Sequence, residues 1–209
     1  QKNHISFAHR RLAILDTSDR GSQPMVSGNG EWVIVFNGCI YNYKELREEL
    51  VQRGHTFKST TDTEVIVEGL VAYGENFLKR LNGMFAIGAY HLKDNYLLIS
   101  RDRFGVKPIY YWFSKDMLVF SSEIKAILQH PQYSMEIDYN ALNEYFTFQN
   151  LFTFRTQFRN IAMIPPGNTI RFDQYTKTIV HNSWWNYDFS EPDENMSFDD
   201  AVEGTKFYF

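Results

Sequence analysis

The heptapeptide FNGCIYN, residues 36–42, contains the side chains that could most directly do chemistry. Cys39 is the only cysteine among 209 residues, and an ionised thiol is a strong nucleophile. The Asn37 amide beside it donates hydrogen bonds without titrating, and Gly38 lets the backbone approach a bound molecule closely. Asn-Gly is also a favoured pair in hairpin turns. The heptapeptide therefore predicts either a catalytic stretch or a plain turn.

The elements that must hold this heptapeptide are a strand before it and helices after it. The run WVIVF, residues 32–36, is continuously apolar and rich in β-branched and aromatic residues, which predicts a strand covered on both faces. From Tyr43 the apolar spacing becomes helical, and Gly54 is placed to end that helix. Residues 60–62, TTD, predict the cap of a second helix that ends at Gly74.

Most of the remaining chain has the two-residue period of strands. These strands are predicted at residues 84–90, 96–100, 109–112, 117–120, 169–172 and 176–180. Ser121 and Asp138 are predicted to cap two further helices. Buried strands with two pairs of helices predict a layered α/β sandwich with a largely antiparallel sheet.

The end of the chain has a different composition. Residues 182–197 are polar, with a Trp-Trp pair and a proline, and predict a linker. Ser197 followed by Asp200 has the form of a capping box, which predicts that a last helix begins there.

Composition excludes several classes of protein. The 44% hydrophobic content suffices for a buried core, and the net charge of −4, with both signs interspersed, gives no basic face for nucleic acid. No apolar run approaches the ~20 residues of a membrane helix. A single cysteine suits a reducing compartment, so we expect a cytoplasmic protein. The six histidines lack metal-ligand spacing, which predicts no metal site.

Six ordered motifs, spread over about residues 7–172, resemble the glutaminase domain of class II glutamine amidotransferases. The resemblance implies an N-terminal-nucleophile hydrolase, that is, an α/β (α+β) fold with a four-layer αββα sandwich and mostly antiparallel sheets. The F-N-G-x-I-Y-N-Y-x-E-L-R form is similar to the glutamine-hydrolysing asparagine synthetase branch. The motifs are RRLAILD (10–16), QPM (23–25), FNGCIYNYKELREEL (36–50), TDTEVI (61–66), RLNGMFAIGAY (80–90) and RDRFGVKPIYY (101–111).

The resemblance implies an acyl transfer that releases ammonia from glutamine. An oxyanion develops on the attacked amide, and the family pattern assigns its stabilisation to the Asn37 side-chain N–H and the Gly38 backbone N–H. The same pattern implies that Asp62 holds the substrate's α-ammonium. A helix N-cap is the structural alternative for Asp62.

The rest of the glutamine site is implied in the RRLAILD segment. Arg11 is the implied ligand of the α-carboxylate, because a guanidinium offers a planar two-pronged donor that lysine lacks. Leu12 and Leu15 are implied to line the same pocket. A surface salt bridge is the alternative for Arg11, and neighbouring Arg10 suits that role.

Two features depart from the family pattern. The family nucleophile is a cysteine exposed at the N-terminus, whereas this chain begins with Gln1, so we expect this segment alone not to hydrolyse glutamine. At position 39 the asparagine synthetase pattern usually has a glutamate that accepts from the substrate's ammonium. Cys39, with an ordinary thiol pKa near 8.5, cannot supply that charge at pH 7, so we expect weaker glutamine binding there.

The charged turn RDRFGVKP is predicted to be structural. Arg101, Asp102 and Lys107 suit a buried or half-buried ion-pair corner that holds the sheet.

The resemblance also implies a domain division. Residues 1–181 would form the glutaminase domain, lacking its N-terminal part, and residues 182–209 a linker with the first helix of a C-terminal synthetase domain. That attached domain would use ATP and Mg²⁺ to amidate aspartate to asparagine, while residues 1–209 would bind glutamine without a cofactor.

Two other functions stay open at this point. One is a related amidotransferase that acts on a carboxylate other than aspartate. The other is a non-catalytic module with a glutamine-binding or regulatory role. A homodimer is also open. The sequence predicts no nucleic acid or membrane partner.

Overall fold

The structure is a computed structural model that describes residues 5–10, 16, 18–188 and 195–208. The helices are α1 (Tyr43–Gln52), α2 (Asp62–Tyr73), α3 (Ile124–Leu128), α4 (Tyr139–Phe148) and α5 (Phe198–Tyr208), with short 3-10 helices at Asp19–Gly21 and Gly74–Arg80. The strands are β1 (Met25–Val26), β2 (Trp32–Ile40), β3 (Gly83–His91), β4 (Tyr96–Arg101), β5 (Tyr110–Ser114), β6 (Met117–Ser121), β7 (Ile161–Met163), β8 (Asn168–Asp173) and β9 (Ile179–Ser183).

Among the described residues, the strands form two antiparallel sheets. The larger sheet has the order β1-β2-β3-β4-β8-β9, and the smaller one has the order β6-β5-β7. One apolar cluster joins α1 and α2 to the larger sheet, a second joins the two sheets, and a third joins α3 to the smaller sheet. The predicted four-layer αββα sandwich is therefore confirmed.

Successive side chains of the central strands β3 and β4 point to opposite faces of the larger sheet, and both faces are apolar. Ile87 and Leu98 pack toward the helices, while their neighbours Ala86 and Leu97 pack toward the smaller sheet. At Gly88 an added Cβ would lie 2.4 Å from the Phe120 ring. A glycine at this point thus allows the two sheets to pack closely.

Capping residues set several helix boundaries where the sequence predicts them. Thr61 accepts from the Glu64 N–H at the start of α2, and Asp138 accepts from two N–H groups at the start of α4. Ser197 and Asp200 form the predicted capping box of α5. Ser121 differs: its hydroxyl accepts from the Glu123 N–H, but α3 begins later, at Ile124.

The last hairpin lies further along the chain than predicted. The Asp173 carboxylate accepts from the Tyr175 and Thr176 N–H groups, and Lys177 adopts a φ of 57°. These residues form a turn, so β9 occupies 179–183 rather than 176–180.

The linker interpretation is wrong for the first residues after that hairpin. The Trp184 ring stacks on Phe85 with ring centroids 5.9 Å apart, and the Trp184 backbone N–H donates to the Gly167 carbonyl at 2.9 Å. Large apolar rings in a polar stretch gain more by packing against the sheet than by staying in solvent. The domain boundary at 181 remains a prediction.

Within the described ranges, no helix is both long and apolar enough to cross a membrane.

Candidate active site

Asn37 and Gly38 lie inside a strand, not in a turn. Strand β2 pairs with β3 without interruption from Trp32 to Ile40. Within this pairing, Asn37 lies opposite Ala86 and Gly38 lies opposite Phe85. The turn interpretation of Asn-Gly is therefore wrong, because pairing with a neighbouring strand outweighs the local preference of the dipeptide.

Two glycines allow β2 and β3 to approach closely at this point. An added Cβ at Gly38 would lie 2.1 Å from the Met84 carbonyl oxygen, and one at Gly83 would lie 2.2 Å from the Cys39 carbonyl oxygen. These obstacles are backbone atoms, which no side-chain rotation can remove. Both positions therefore require glycine.

The backbone N–H of Gly38 points toward an edge of the sheet that β1 does not cover. Alternate N–H groups of a strand point to the same edge. The Phe36 N–H donates to Gln23 Oε1 at 2.6 Å, and the Ile40 N–H donates to Asp62 Oδ2 at 3.0 Å. The Gly38 N–H lies between these two on the same edge, beyond the last β1 pair at Ile34.

The partner residue of Gly38 supports this geometry. Phe85 donates its N–H to Asp102 Oδ2 at 3.1 Å and accepts from the Asp102 N–H at 2.9 Å. Both backbone groups of Phe85 thus face β4, so Gly38 and Phe85 form a pair whose backbone groups point away from each other.

Asp62 joins helix α2 to this strand. It is the first residue of α2 and is 5% exposed, while Thr61 before it is the N-cap. The N-cap alternative for Asp62 is therefore wrong. The carboxylate lies at the helix N-terminus, where the helix dipole favours negative charge. Its bond to the Ile40 N–H places that charge one residue from Cys39.

Cys39 is half-buried and lies next to two charged groups. Burial raises the pKa of its thiol, the Asp62 carboxylate raises it further, and Lys107 partly offsets both. A thiol with a raised pKa stays protonated near neutral pH and is a poor nucleophile. The structure thus brings Cys39 and Asp62 together without activating the sulfur.

The Asn37 side chain contacts the segment that follows β6 of the smaller sheet. Its exposed side chain donates from Nδ2 to Ser122 Oγ at 3.4 Å. An amide nitrogen carries two hydrogens, so the second is left for another acceptor. Ser122 is separated from Asn37 by 85 residues. The sequence carries no signal for this contact.

Gln23 is a second supporting residue to which sequence reasoning assigned no role. Its amide oxygen accepts from Phe36 in β2, and its amide nitrogen donates to Thr63 Oγ1 in α2 at 3.3 Å. A single neutral side chain therefore links the strand to the helix. The QPM motif in the sequence was the available signal.

The sequence predicted an ion-pair corner in the charged turn after β4, and this prediction is wrong. Asp102 is fully buried and accepts from the N–H groups of Phe85, Phe104, Val106 and Lys107. Arg101 donates to three backbone carbonyls, those of Gly105, Lys107 and Ile164. Both charges are satisfied mainly by backbone groups, because the turn presents many peptide dipoles to them.

Three predicted site residues, Arg11, Leu12 and Leu15, lie outside the described residues. Within the described part of the chain, no group of three or more His, Cys, Asp or Glu residues is placed to hold a metal ion. The absence of a metal site in the whole chain stays a prediction.

Comparisons with known proteins identify the family of this chain. The glutamine amidotransferase domain family matches residues 1–185. Asparagine synthetase (glutamine-hydrolyzing) 3 of Bacillus subtilis is 36% identical over 100% of this chain and 34% of its own length. Asparagine synthetase (glutamine-hydrolyzing) 1 of the same organism is 40% identical over 81% of this chain and 27% of its own length. The chain thus spans about a third of the length of these curated relatives.

Two solved structures share the fold. The glutamine phosphoribosylpyrophosphate amidotransferase of B. subtilis has a TM-score of 0.59 at 19% identity, over 85% of this chain and 34% of that protein. An allosteric regulatory enzyme of purine biosynthesis has a TM-score of 0.57 at 17% identity, over 84% of this chain and 34% of that protein. At such low identity these matches support the fold alone.

Proposed function

The chain belongs to the glutamine amidotransferase domain family, and from this membership we propose that it forms the glutaminase part of a glutamine-hydrolysing asparagine synthetase. In this role the segment binds glutamine, and ammonia is released from the side-chain amide in the full-length protein, where the family pattern places a nucleophilic cysteine at the N-terminus. One observation carries the proposal. The Gly38 N–H points to a sheet edge that no described strand covers at this point, between N–H groups bonded to Gln23 and Asp62.

The proposed chemistry needs donors aimed at a developing oxyanion. The Gly38 N–H and the second Asn37 Nδ2 hydrogen are such donors, and neither titrates near neutral pH. The strand pairing fixes Gly38, while the bond to Ser122 restricts the Asn37 amide. Donors held in place before the reaction stabilise an oxyanion without reorganising.

Substrate binding is assigned to the neighbouring residues. Asp62 supplies the negative charge for the α-ammonium of glutamine, as the family pattern implies. Arg11 would bind the α-carboxylate, with Leu12 and Leu15 beside it. Cys39 lies next to Asp62 and takes the place of the glutamate of that pattern, so Asp62 carries more of the ammonium's charge in this protein. No nucleophilic role is assigned to Cys39.

For the full-length protein we propose ATP-dependent amidation of aspartate to asparagine. The names of the relatives and their threefold greater length support a further synthetase domain, which would use ATP and Mg²⁺. A different carboxylate acceptor is the alternative. Incubating the full-length protein with glutamine, ATP, Mg²⁺ and either aspartate or other carboxylates distinguishes the two by the amide formed.

The glutaminase assignment is tested by Asn37→Ala in the full-length protein. Loss of one oxyanion donor lowers kcat for ammonia release from glutamine by about 10²–10³, while synthesis from added ammonia is preserved. Asn143→Ala, at an exposed position of α4, is the matched control. Glutaminase activity within twofold of the parent in Asn37→Ala would contradict the assignment.

A further inference from the structure

An open cavity of about 430 Å³ lies beside the segment that leads into α2. Its described lining includes no residue of β2, and it combines charged, hydroxyl and aromatic side chains. Its lining residues are Asp16, Ser18, Arg20, Arg47, Phe57, Lys58, Ser59 and Thr60.

The lining has an unbalanced charge. Arg20, Arg47 and Lys58 are cationic, and Asp16 is the one carboxylate among the described lining residues. Among the described lining residues, this leaves two positive charges unmatched at neutral pH. No carboxylate of the described residues forms an ion pair with any of the three cations.

Asp16 is already engaged by hydrogen-bond donors. Its Oδ1 accepts from the Ser18 N–H at 2.9 Å and hydroxyl at 2.6 Å, and its Oδ2 accepts from the Thr60 N–H at 3.1 Å and hydroxyl at 3.2 Å. These bonds hold the pKa of the carboxyl well below its usual range. Asp16 therefore joins two walls of the cavity, and it still supplies the one negative charge among the described lining residues.

The two arginines are positioned by backbone contacts. Arg47 donates from Nη1 to the Ser59 carbonyl at 2.6 Å, and its guanidinium lies 4.6 Å from the Phe57 ring centroid. Arg20 donates from Nη1 to the Lys58 carbonyl at 3.5 Å. A guanidinium has five N–H donors, so each arginine keeps others for a ligand. The Lys58 ammonium makes no hydrogen bond to any residue that the structure describes.

We propose that this cavity binds a small anion that carries a phosphate group. A phosphate monoester near pH 7 carries almost two negative charges, which matches the two unmatched positive charges. Planar guanidinium groups suit the spacing of phosphate oxygens, and a lysine adds a point charge. The net charge of −4 for the whole chain disfavours a polyanionic partner such as nucleic acid. This proposal does not depend on the glutaminase assignment.

The test uses isothermal titration with inorganic phosphate, with sodium chloride at equal ionic strength as the reference. Lys58→Gln and Arg20→Gln each remove one charge at an exposed position, and each is expected to raise the Kd for phosphate on the order of tenfold. Lys93→Gln, in the exposed turn between β3 and β4, is the matched control and leaves the Kd within about twofold. Lys58→Arg keeps the charge and restores binding.

Several outcomes would overturn the proposal. These are a phosphate response no larger than that of chloride, an unchanged Kd in Lys58→Gln, or an equal loss in Lys93→Gln. Binding to vesicles of anionic phospholipid without binding to free phosphate would also overturn it, because the ligand would then be a lipid headgroup. If Arg20→Gln fails to fold, Lys58→Gln with its Lys58→Arg counterpart decides the question.

Discussion

The Asp62 carboxylate accepts a hydrogen bond from the Ile40 backbone N–H at 3.0 Å, which joins the first turn of α2 to the strand that carries Asn37 and Gly38. The same carboxylate is the proposed ligand of the substrate's ammonium. Asp62 therefore has two separable tasks, one that needs an acceptor oxygen and one that needs a negative charge.

Substitutions at Asp62 are predicted to separate these tasks. Asp62→Asn keeps an oxygen for the Ile40 N–H, so the free energy of unfolding changes little, but the KM for glutamine rises about tenfold or more because the charge is lost. Asp62→Ala also leaves a buried N–H without its acceptor, which costs about 1–3 kcal/mol of stability. Denaturant unfolding and the glutaminase kinetics of the full-length protein check both. Equal destabilisation by the two substitutions would contradict the assignment.

Because β2 and β3 approach closely, a single methyl group added at Gly38 is predicted to lower the stability of the fold strongly. In Gly38→Ala the added Cβ meets the Met84 carbonyl, and we expect a loss of about 3 kcal/mol or more in the free energy of unfolding. Gly204→Ala in α5 is the matched control, since a Cβ added there would meet no described atom within 4 Å outside its own helix. There, alanine is expected to gain about 0.5–1 kcal/mol through its helix propensity. Urea denaturation measures both.

Residue 39 is predicted to tune glutamine affinity. Cys39→Glu restores the charge of the family pattern beside Lys107, and we expect the KM for glutamine to fall about tenfold, the value of a hydrogen bond to a charged group. Cys39→Gln has the same size without the charge and serves as the control. An unchanged KM in Cys39→Glu would show that Asp62 alone handles the ammonium.

The thiol itself reports on the charge of Asp62. Since Asp62 raises the pKa of Cys39, Asp62→Asn is expected to lower that pKa and to increase the rate of alkylation by iodoacetamide at pH 8. Burial, the larger cause, remains, so the thiol stays less reactive than free cysteine. Residues 1–209 contain a single cysteine, so in this segment the pH dependence of alkylation measures this one group. A rate that Asp62→Asn leaves unchanged would contradict the coupling.

Glu49 is predicted to contribute to stability in acid. It accepts from both Arg80 Nη atoms and from the Tyr73 hydroxyl, which lower its pKa from its ordinary 4.5 to about 2. Because the pKa is lowered by folding, the contribution is complete above about pH 4.5 and is lost as the pH falls toward 2. Glu49→Gln should flatten the dependence of unfolding free energy on pH in this window. Glu48→Gln, at an exposed neighbouring position, should leave the dependence unchanged.

Local sequence signals were sufficient for most elements. The boundaries of α2 follow from Thr61 at its start and Gly74 at its end, and both act within one turn of the residues they cap. The strand at 84–90 was predicted from apolar residues whose spacing is itself local. The two- and three-residue strands β1 and β7 were missed, because a run of that length has no measurable period.

The motifs also pointed to the residues of the candidate site, but not to what holds them. Asn37, Gly38, Cys39 and Asp62 were identified from the family resemblance. The supporting residues Gln23 and Ser122 were not, since their contacts join segments 13 and 85 residues apart.

By itself the sequence determined the family, through the resemblance of its six motifs. It also determined the order of most helices and strands and the layered sandwich, because periodicity and caps depend on neighbours along the chain. The tertiary structure decided that Asn37 and Gly38 lie in a strand, that the Gly38 N–H faces an edge no described strand covers, and that Asp62 reaches this strand. The physical reason is that a residue's backbone direction and charge environment depend on what packs against it. In this protein those partners are β3, helix α2 and the turn after β4, all distant in sequence.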